Sequence, residues 1–587
     1  MKSFGNTGSE PENRAILRFI PHILFLTYMR FTLRFRAALT VLTAIGAVLT
    51  TSAQTVPPPA WASARGVGPS SQLTGGSAID AAGNIYEVGT FTSSTTIGGV
   101  TLTSQGSADG YLAKFSSGGN LLWVRQLGSS SYDTAFDVAV DAGGNAYVVG
   151  AFAGTITLGN GSTLQLNGGT NGNYFKGFLV RFSPQGTPIW AQQSSGSVAG
   201  SVAISGVGLD AQGNVCVGGL MDQVLTIGST TISTSASNVE GTFLGRFSAG
   251  SGALQQLTRG FDYAPSTVGS TSYSYPQLVV ASTGQMYLLS PFSQAINVAG
   301  VGSFSSRGLT DALVVRFSTT GYPEWAQQFG GSGAERTVSG TVDAAGNLYV
   351  AGYFSGPAAF GSSVQNGFGS FDGCLVKYSS QGALLWVQPV GGSASDGLYD
   401  VGLDAVGNVY TVGTFNGTAQ FGGVALTSAG LSDVVVVSYT SQGQLRWQQQ
   451  AGGPANDSGT YLALDPYENL SVQGRFGGTC SFGTQILSTT APTETFVARL
   501  GSVGLATRPA ATGQLAAYPN PATTRLRLPA LAVGTRVQLF DALGRLVRET
   551  PVAVDASISV LSLAPGLYTL HAADIHGRLL AGKVAVE

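Results

Sequence analysis

Residues Asp141–Gly150 read DAGGNAYVVG, a cluster of turn-forming residues followed directly by a short apolar run. Copies of this stretch recur along the chain, and the steps between their starts are 61, 69, 71, 62, 61 and 61 residues. Repeats at a fixed period of tens of residues are typical of solenoids, propellers and domain arrays. A weaker copy starts at Ala281, and the other six start at Asp80, Asp141, Asp210, Asp343, Asp404 and Asp465.

A second marker recurs in phase with the first. After each copy comes a strand-like run such as YLAKF (Tyr111–Phe115), then a short turn and then a Trp, although the copy near residues 253–257 has Gln instead. Carbohydrate stacking is one interpretation of these rings, but their repetition favours packing between repeated units, since buried aromatic residues dominate core energetics. We therefore predict that all six tryptophans occupy this one phase and pack between blades: Trp61, Trp123, Trp190, Trp325, Trp386 and Trp447.

The apolar runs alternate with polar residues between turn clusters, and helical periodicity is absent from Ser71 to Leu500. This pattern predicts strands. Four strands repeated seven times predict a seven-bladed β-propeller with four-stranded blades. The Asp-x-x-Gly-Asn stretch would be the turn between first and second strands, because Asp accepts backbone hydrogen bonds and Gly tolerates positive φ.

Trp61 precedes the first copy, whereas the seventh copy ends at Leu500 with no Trp strand after it. We therefore expect a strand around Ala60–Arg65 to close the last blade, since closure removes an open sheet edge.

The composition of the 587 residues excludes several partners. Only 10% of residues are charged and the net charge is −2, so no electrostatic argument supports binding to nucleic acid or to an anionic membrane. Cys216, Cys374 and Cys480 fall in different repeats without a C-x-x-C pair, which predicts buried, unpaired thiols. We expect a monomer without a cofactor.

The N-terminal region has the pattern of a secretion signal. From Met29 the chain carries three Arg residues, an apolar stretch over Ala37–Leu49 and small residues up to Ala53. A membrane anchor is the alternative, but the apolar stretch is short for a span. The sequence thus predicts a non-native extension at 1–28, a signal peptide at 29–53 and the propeller at 54–501.

The repeats stop near Gly501, and a small-residue linker is predicted at 502–516. Residues 517–587 contain strand-length runs between Pro and Gly turns, which predict a small Ig-like β-sandwich. The motif residues in this segment are Tyr518, Pro519, Asn520, Pro521, Gly544, Gly566, Tyr568 and Lys583. With these residues the segment resembles the C-terminal sorting domain of type IX secretion cargo in Gram-negative bacteria. That resemblance implies a secreted or cell-surface protein with the type IX machinery as a partner.

The repeat region resembles secreted bacterial seven-bladed β-propeller repeat proteins with D-x-x-G-N-x-Y-V-x-G signatures. That family is defined by its repeat rather than by an activity, so the resemblance implies no active site.

Histidine chemistry is excluded from the predicted propeller, because the chain has only His22, His571 and His576. Ser-His-Asp and Cys-His catalysis, histidine general bases and histidine metal sites are therefore absent there. The turn aspartates could each supply one carboxylate to calcium, but calcium usually needs more oxygen ligands. We predict no catalytic residue and no metal site.

Two further acidic series recur. Asp109, Glu240, Asp311, Asp372, Asp433 and Glu494 precede third strands and predict a polar clasp to backbone N–H groups. Asp133, Glu335, Asp396 and Asp457 follow the Trp strands and would surround one mouth of the channel. The second series would serve either as turn caps or as the paired carboxylates of a glycosidase or lyase.

The longest loop between repeats adds aromatic and charged residues on the same face. Aromatic rings beside polar groups suit sugars or peptides, although these residues could instead fill irregular packing. The candidate ligand residues of this loop are Arg259, Asp262, Tyr263, Tyr273 and Tyr275. The sequence favours a secreted binding, adhesion or scaffold module for a glycan or protein. The alternative is an extracellular polysaccharide-active enzyme that uses carboxylates at the channel mouth.

Overall fold

The computed structural model describes residues 56–68, 75–158, 163–165, 174–195, 200–236, 239–263, 275–465, 469–501, 513–541, 546–573 and 579–587. These residues form β-strands and turns, and no helix occurs among them. The all-β prediction is therefore confirmed for the described part of the chain. A helix long and apolar enough to cross a membrane is likewise not found there.

Among the described residues between Trp61 and Leu500, we distinguish seven antiparallel four-stranded units, named sheets 1 to 7 in order of their first strands. Further strand pairing joins some of these units into six- and eight-stranded sheets. The strands of sheets 1 to 3 are Ser77–Ile79, Ile85–Phe91, Asp109–Phe115, Leu121–Leu127; Asp133–Val140, Ala146–Phe152, Lys176–Phe182, Pro188–Gln193; and Val202–Leu209, Val215–Asp222, Glu240–Phe247, Leu254–Tyr263. Those of sheets 4 and 5 are Gln277–Val280, Met286–Phe292, Asp311–Phe317, Pro323–Gly331; and Arg336–Val342, Leu348–Phe354, Asp372–Tyr378, Leu384–Gly392. Those of sheets 6 and 7 are Gly397–Leu403, Val409–Phe421, Val424–Tyr439, Leu445–Ala451; and Ser458–Leu464, Leu470–Phe476, Glu494–Leu500, Trp61–Gly68.

A β-hairpin is inserted between the second and third strands of each sheet. In sheet 6 the two long middle strands themselves extend into it. The hairpins of sheets 4, 5 and 6 also pair with the last strand of the preceding sheet, so neighbouring sheets share backbone hydrogen bonds. The separate hairpin strands are Ser94–Ile97, Val100–Thr103, Thr155–Thr157, Thr163–Gln165, Val224–Ile227, Thr230–Ser233, Ala295–Val298, Gly302–Ser305, Ala358–Phe360, Ser363–Gln365, Thr479–Phe482 and Gln485–Ser488.

The first strands of the sheets contact one another in cyclic order, and the first strand of sheet 7 contacts that of sheet 1. The N-terminal strand Trp61–Gly68 pairs antiparallel with Glu494–Leu500 and becomes the fourth strand of sheet 7. This pairing confirms the prediction that the N-terminus supplies the missing strand of the last repeat.

The first tryptophan, however, does not share the register of the others. Trp123 pairs with Lys114 in sheet 1, but the equivalent position in sheet 7 is Ser63, paired with Arg499. Trp61 pairs with Leu500 instead, in the slot that Leu121 occupies in sheet 1, and its ring packs edge-on against Phe482. The prediction that all six tryptophans occupy one phase was therefore wrong for Trp61. No turn connects this strand to its neighbour, so spacing along the sequence could not fix its register.

Four of the other tryptophans join neighbouring sheets. The indole N–H of Trp123 donates to the carbonyl oxygen of Pro184, which lies in the third-to-fourth turn of the next sheet, at 3.0 Å. Trp190, Trp325 and Trp386 make the equivalent contacts with Ala249, Ser380 and Ser441. Trp447 is buried in the cluster shared by sheets 6 and 7. These contacts repeat because the turn that accepts them repeats.

The repeated Asp turn has one hydrogen-bond pattern. Oδ1 of Asp141 accepts the backbone N–H groups of Gly143 and Asn145, both at 2.9 Å. Gly144 has a φ of 78°, a left-handed conformation that favours glycine. Equivalent bonds to the Asn four residues on are made by Asp80, Asp210, Asp343, Asp404 and Asp465.

The C-terminal segment has its own sheet and its own apolar core. Its five-stranded sheet contains Gly513–Gln514, Leu579–Val586, Gly566–Ala573, Arg536–Phe540 and Leu546–Pro551, and a separate pair is formed by Arg525–Arg527 and Ser557–Ser559. Buried residues such as Leu526, Val537, Leu570 and Val584 form one cluster between these strands. The segment thus has a hydrophobic core of its own.

Candidate functional site

The loop acids predicted to surround the channel mouth are buried and bonded to the backbone. Oδ2 of Asp396 accepts the N–H of Gly392 at 2.7 Å, and its Oδ1 accepts that of Asn416 at 2.9 Å. Asp457 bonds Gly453 and Gly477 in the same way. Each carboxylate therefore ties the loop between two sheets to the backbone where the second strand leads into the inserted hairpin.

The other two members of this series have related positions. The carboxylate of Asp133 accepts hydrogen bonds from Ser129 and from the N–H of Ala153. Oε2 of Glu335 accepts the N–H of Gly331 at 2.8 Å. All four side chains lie in buried residues, so a ligand would reach them only if the loops moved. Their contribution to ligand binding stays a prediction.

Burial raises the pKa of two of the loop acids and of Asp137, which lies in the first strand of sheet 2. It raises the pKa of Glu335 to about 7 and that of Asp457 to about 6, although backbone hydrogen bonds oppose the shift in both cases. Burial also raises the pKa of Asp137 to about 7, against hydrogen bonds from Val207 and Val138, and the charge of Asp400 adds to the increase.

These raised pKa values predict that stability falls as the pH rises. Between about pH 4 and pH 7 the folded chain holds more protons on these carboxyls than the unfolded chain does, so the free energy of unfolding decreases with pH. We expect urea unfolding to give a value lower at pH 8 than at pH 5 by on the order of a few kcal/mol. Asp137→Asn should reduce that difference. A free energy of unfolding that increases over this range would contradict the prediction.

The acids at the entry to the third strands form the predicted clasp. Asp311 accepts the N–H of Arg307 at 2.8 Å and the side-chain N–H of Gln328 at 2.7 Å. Equivalent backbone bonds are made by Asp109, Asp372 and Asp433. For these four members the predicted clasp to backbone N–H groups is confirmed, and each holds the end of the inserted hairpin against its sheet.

The prediction that Arg259, Asp262 and Tyr263 lie in the loop between sheets 3 and 4 was wrong, because they belong to the last strand of sheet 3, Leu254–Tyr263, which extends to pair with the inserted hairpin of sheet 4. Nη1 of Arg259 lies 3.6 Å from Oδ2 of Asp262, and that carboxylate also accepts the N–H of Ser235. Tyr263 packs edge-on against Phe261, and its hydroxyl hydrogen-bonds with Ser290.

The ring centroid of Tyr275 lies 4.5 Å from that of Phe136 in sheet 2. Tyr273 lies outside the described residues. Tyr275 therefore packs against the first strand of sheet 2, the inner strand, whereas Tyr263 pairs through its backbone with Ile296 of the inserted hairpin of sheet 4.

The sequence analysis missed a group of residues on the inner strands, which are the first strands of the sheets. Each of these residues lies at a β-bulge, where the pairing with the second strand shifts by one residue. Asp137 accepts the N–H of Val207 in the next sheet at 2.9 Å. Asp400 accepts the N–H of Leu462 in the next sheet at 2.8 Å and the hydroxyl of Ser339 from the preceding one. Each carboxylate therefore joins two or three sheets at the centre of the ring.

A signal for this group was present in the sequence. Asp137 and Asp400 follow Asp133 and Asp396 by four residues, and Ser339 and Tyr461 follow Glu335 and Asp457 by the same step. The charges of Asp137 and Asp400 both raise the pKa of Tyr461, although burial raises it most. Sheets 2, 6 and 7 thus bring two carboxylates and a phenol close together.

No set of three metal-ligating residues is found in the described part of the chain. The three thiols are buried and unpaired, which confirms the prediction for the cysteines. Burial raises the pKa of Cys216 to about 12, so this thiol is not a nucleophile near neutral pH.

The motif residues of the C-terminal segment have specific contacts. The side chain of Asn520 donates to the carbonyl oxygen of Lys583 at 3.0 Å and accepts the N–H of Ala585 at 2.8 Å. The hydroxyl of Tyr568 donates to Ala564, and Gly566 begins the strand that carries this tyrosine. Tyr518 is half exposed and lies in the same segment as Pro519, Asn520 and Pro521. Gly544 lies outside the described residues. The motif thus holds the last strand of the chain in place.

Two families match parts of the chain. Residues 516–586 match the family described as "Secretion system C-terminal sorting domain". The chain carries a secretion sorting domain. This domain indicates type IX secretion to the extracellular or cell-surface space, as the resemblance of the motif residues implied. Residues 122–151, which run from the last strand of sheet 1 into sheet 2, match the family described as "Beta-propeller repeat".

Solved structures resemble the chain only distantly, and no curated protein matches it. A glucose dehydrogenase is 8% identical, with a TM-score of 0.29, over 57% of this chain and 94% of its own. A puromycin hydrolase is 11% identical, with a TM-score of 0.38, over 90% of this chain and 69% of its own. A leech intramolecular trans-sialidase is 10% identical, with a TM-score of 0.20, over 88% and 92%. Similarity at this level carries no argument about activity.

Proposed function

We propose that this protein is a secreted or surface-displayed binding module built on a seven-bladed β-propeller. The seven four-stranded sheets, the cyclic contacts of their first strands and the N-terminal closing strand support seven blades. We further propose that residues 517–587 form an Ig-like β-sandwich that engages the type IX machinery, and that the mature protein is monomeric. The predicted extension and signal peptide lie outside the described residues.

The observation that carries the binding role is the use made of the recurring carboxylates. Both oxygens of Asp133, Asp396 and Asp457 accept hydrogen bonds from the loop backbone. A hydrolase or lyase needs carboxyl groups that reach the substrate. Carboxylates committed to the backbone instead form rigid loops, and loops held on a rigid scaffold are where binding residues concentrate.

The ligand would contact the face that carries the inserted hairpins and the loops between sheets. Along each sheet the two tight turns lie at one end, so the longer connections lie at the other. Arg259 has a partly exposed side chain at this end, and Tyr275 lies beside an inner strand. Aromatic and polar side chains on one face suit a glycan or a peptide. Asp262, Tyr263 and the loop acids remain members of the proposed site.

A polysaccharide-active enzyme is the second candidate, and one observation favours it. The inner strands bring Asp137 and Asp400 together, and burial raises the pKa of Asp400 to about 6 and that of Asp137 to about 7. Glycoside hydrolysis usually needs a pair of carboxyl groups, of which the general acid has a raised pKa and the other is ionised. Asp137 and Asp400 each already accept two or more hydrogen bonds, however, which favours a structural role.

A glycan array and a polysaccharide-hydrolysis screen on the purified chain would separate the two candidates. We expect binding to one glycan class without release of reducing ends. Release of reducing ends by the unchanged chain, together with loss of that release in Asp137→Asn and Asp400→Asn, would establish the enzyme instead.

Once the array identifies a glycan, Tyr275→Ala is expected to weaken its binding by about tenfold, because removal of an aromatic contact costs on the order of 1 kcal/mol or more. Arg259→Ala should weaken it by a similar factor. Tyr322→Ala provides the matched control, since Tyr322 is 73% exposed in a tight turn at the opposite end of sheet 4. Unchanged affinity in the first two variants together with a loss in the third would reverse the assignment of the binding face.

A further inference from the structure

The contact between sheets 7 and 1, which we call the seam, buries polar side chains at positions that are mostly apolar in the other sheets. Glu87 of sheet 1 stands where the other second strands carry Val, Leu or Thr. In the seventh repeat, DPYENLSVQG, Ser471 replaces the Tyr of five other repeats, and Gln473 stands where the others carry Val, Leu, Ala or Gly. All three residues are 3% exposed or less.

The apolar part of the seam is correspondingly small. Its cluster of buried apolar residues is smaller than those at the other six contacts between sheets. Val497 of sheet 7 belongs to this cluster, and Gln473 pairs with Val497, so both side chains lie on the same face of the sheet. Ser471 lies two residues from Gln473 and shares that face. Sheet 7 therefore presents polar side chains to sheet 1.

Several polar atoms of the seam have no hydrogen-bond partner within the described part of the chain. They include Oε2 of Glu87, Oγ1 of Thr495, Oγ of Ser471 and both side-chain polar atoms of Gln473. The cavity that Glu87 and Thr495 line has a volume of about 10 Å³, which is room for about one water molecule. Gln473 and Ser471 do not line this cavity, so a water in it would leave them unpaired. Polar groups that stay unpaired in a closed contact weaken that contact.

Two links that join other neighbouring sheets are missing from the seam. The fourth strand of sheet 7 carries Ser63 at the position where Trp123 of sheet 1 bonds the turn of the next sheet. The hairpins of sheets 4, 5 and 6 pair with the preceding sheet, whereas the hairpin of sheet 1 pairs with no strand of sheet 7 among the described residues. A backbone bond from the N–H of Gly98 to the carbonyl oxygen of Val67, at 3.4 Å, crosses the seam there instead.

The end of the seam that carries the tight turns is joined like the other contacts. The guanidinium of Arg499 donates to the carbonyl oxygen of Ser117, which lies in the turn between the third and fourth strands of sheet 1. Arg181 and Arg316 make the equivalent bonds to the sheets that follow theirs. Thr495 lies four residues before Arg499, toward the end that carries the inserted hairpins. The two ends of the seam therefore differ in how firmly they are joined.

We propose that the seam is a built-in opening point of the ring. Sheets 7 and 1 separate locally at the end that carries the inserted hairpins, while Arg499 holds the end that carries the tight turns. In the open state water reaches Glu87, Gln473 and Thr495, so polar atoms that are unpaired in the closed contact gain hydrogen bonds. Such an opening needs less free energy than global unfolding, as local openings do in folded proteins. The gap opens onto the face proposed for ligand binding, but the inference does not depend on that function.

Thiol labelling of the purified full chain under native conditions tests this proposal. Thr495→Cys places a thiol at the hairpin end of the seam, at a position where the other sheets hold Gly, Ala, Thr or Val. Val434→Cys is the matched control, because Val434 occupies the same position of sheet 6 and is buried in the cluster shared with sheet 7. We expect Thr495→Cys to react with a maleimide at least about tenfold faster than Val434→Cys, since a buried thiol reacts only when its contact opens. The native thiols are buried and report global unfolding in the same samples: Cys216, Cys374 and Cys480.

A second pair of variants relates the opening to the buried carboxylate. In the Thr495→Cys chain, Glu87→Val restores the residue type of most other repeats and should slow the labelling several-fold. Thr411→Val is the control, because Thr411 occupies the same position of sheet 6, is buried, and donates its hydroxyl to the carbonyl oxygen of Asp400 at 2.7 Å. This second change should leave the labelling rate of the Thr495→Cys chain unaltered.

Equal labelling rates for Thr495→Cys and Val434→Cys would overturn the proposal, and so would labelling of Thr495→Cys at the rate of the native thiols. Ser471→Cys tests the joined end, because Ser471 pairs with Arg499. It should react more slowly than Thr495→Cys, and an equal or higher rate would contradict the joint at Arg499. Fastest reaction at Cys216 would place the opening between sheets 3 and 4, where Gln256 stands in place of Trp.

Discussion

Deletion of residues 60–65 is expected to destabilise the whole ring of sheets. The strand Trp61–Gly68 supplies the only partner of the outer edge of Glu494–Leu500 among the described residues, with pairs from Trp61–Leu500 to Gly68–Thr495. Its loss would expose that edge and uncover Phe482, against which the Trp61 ring packs. Loss of a buried Trp alone costs about 3–5 kcal/mol, a large share of the 5–15 kcal/mol typical of a folded domain.

Urea or thermal unfolding of the purified chain would measure this effect. Deletion of residues 56–59 is the control, because these residues precede the strand and form no described sheet pairing. The stability of Trp61→Ala should lie between the stabilities of the two deletion variants. A melting curve that is the same for the deletion of 60–65 and the unchanged chain would rule out closure by the N-terminus.

Removal of residues 517–587 is expected to abolish export, since the sorting domain is what indicates type IX secretion. We further expect the mature extracellular protein to begin after about Ala53 and to end near Ala517, through removal of the leader and of the sorting domain. Immunoblotting of cell and medium fractions measures the first effect, and intact-mass analysis of exported protein measures the second. An exported protein that still ends at Glu587 would contradict the predicted processing.

A point variant can separate the sorting signal from the mere presence of the domain. Asn520→Ala removes both side-chain contacts to the last strand, at Lys583 and Ala585, and should reduce export several-fold. Val554→Ala is the control, because Val554 is 89% exposed in the same domain. Equal export of the two variants would show that the Asn520 contacts do not contribute to recognition.

Local chemistry that repeats along the chain could be predicted from the sequence. The turn at Asp141 requires a carboxylate, a glycine with positive φ and a following strand, and the residues for all three can be read from the sequence. The same holds for the clasp at Asp311, whose hydrogen bonds join residues close in sequence. Interactions between residues that are close in the chain depend on the number of residues between them, which the sequence shows directly.

Interactions between sheets could not be predicted in this way. The sequence did not reveal that Trp61 leaves the tryptophan register or that Asp137 bonds the backbone of the next sheet, because both depend on how strands distant in sequence pair and pack. Tyr263 and Tyr275 are twelve residues apart, yet the hydroxyl of Tyr263 bonds Ser290 in the second strand of sheet 4. The ring of Tyr275 packs instead against the first strand of sheet 2.

The sequence by itself determined the all-β repeat, the strand that closes it and the sorting domain, because periodic spacing and terminal motifs need no knowledge of distant contacts. Only the tertiary structure decided that the loop acids are buried against backbone N–H groups and that Glu87 of sheet 1 lies beside Thr495 of sheet 7. The physical reason is that burial and hydrogen-bond pairing depend on which sheet lies alongside, and the last sheet meets the first only when the ring closes.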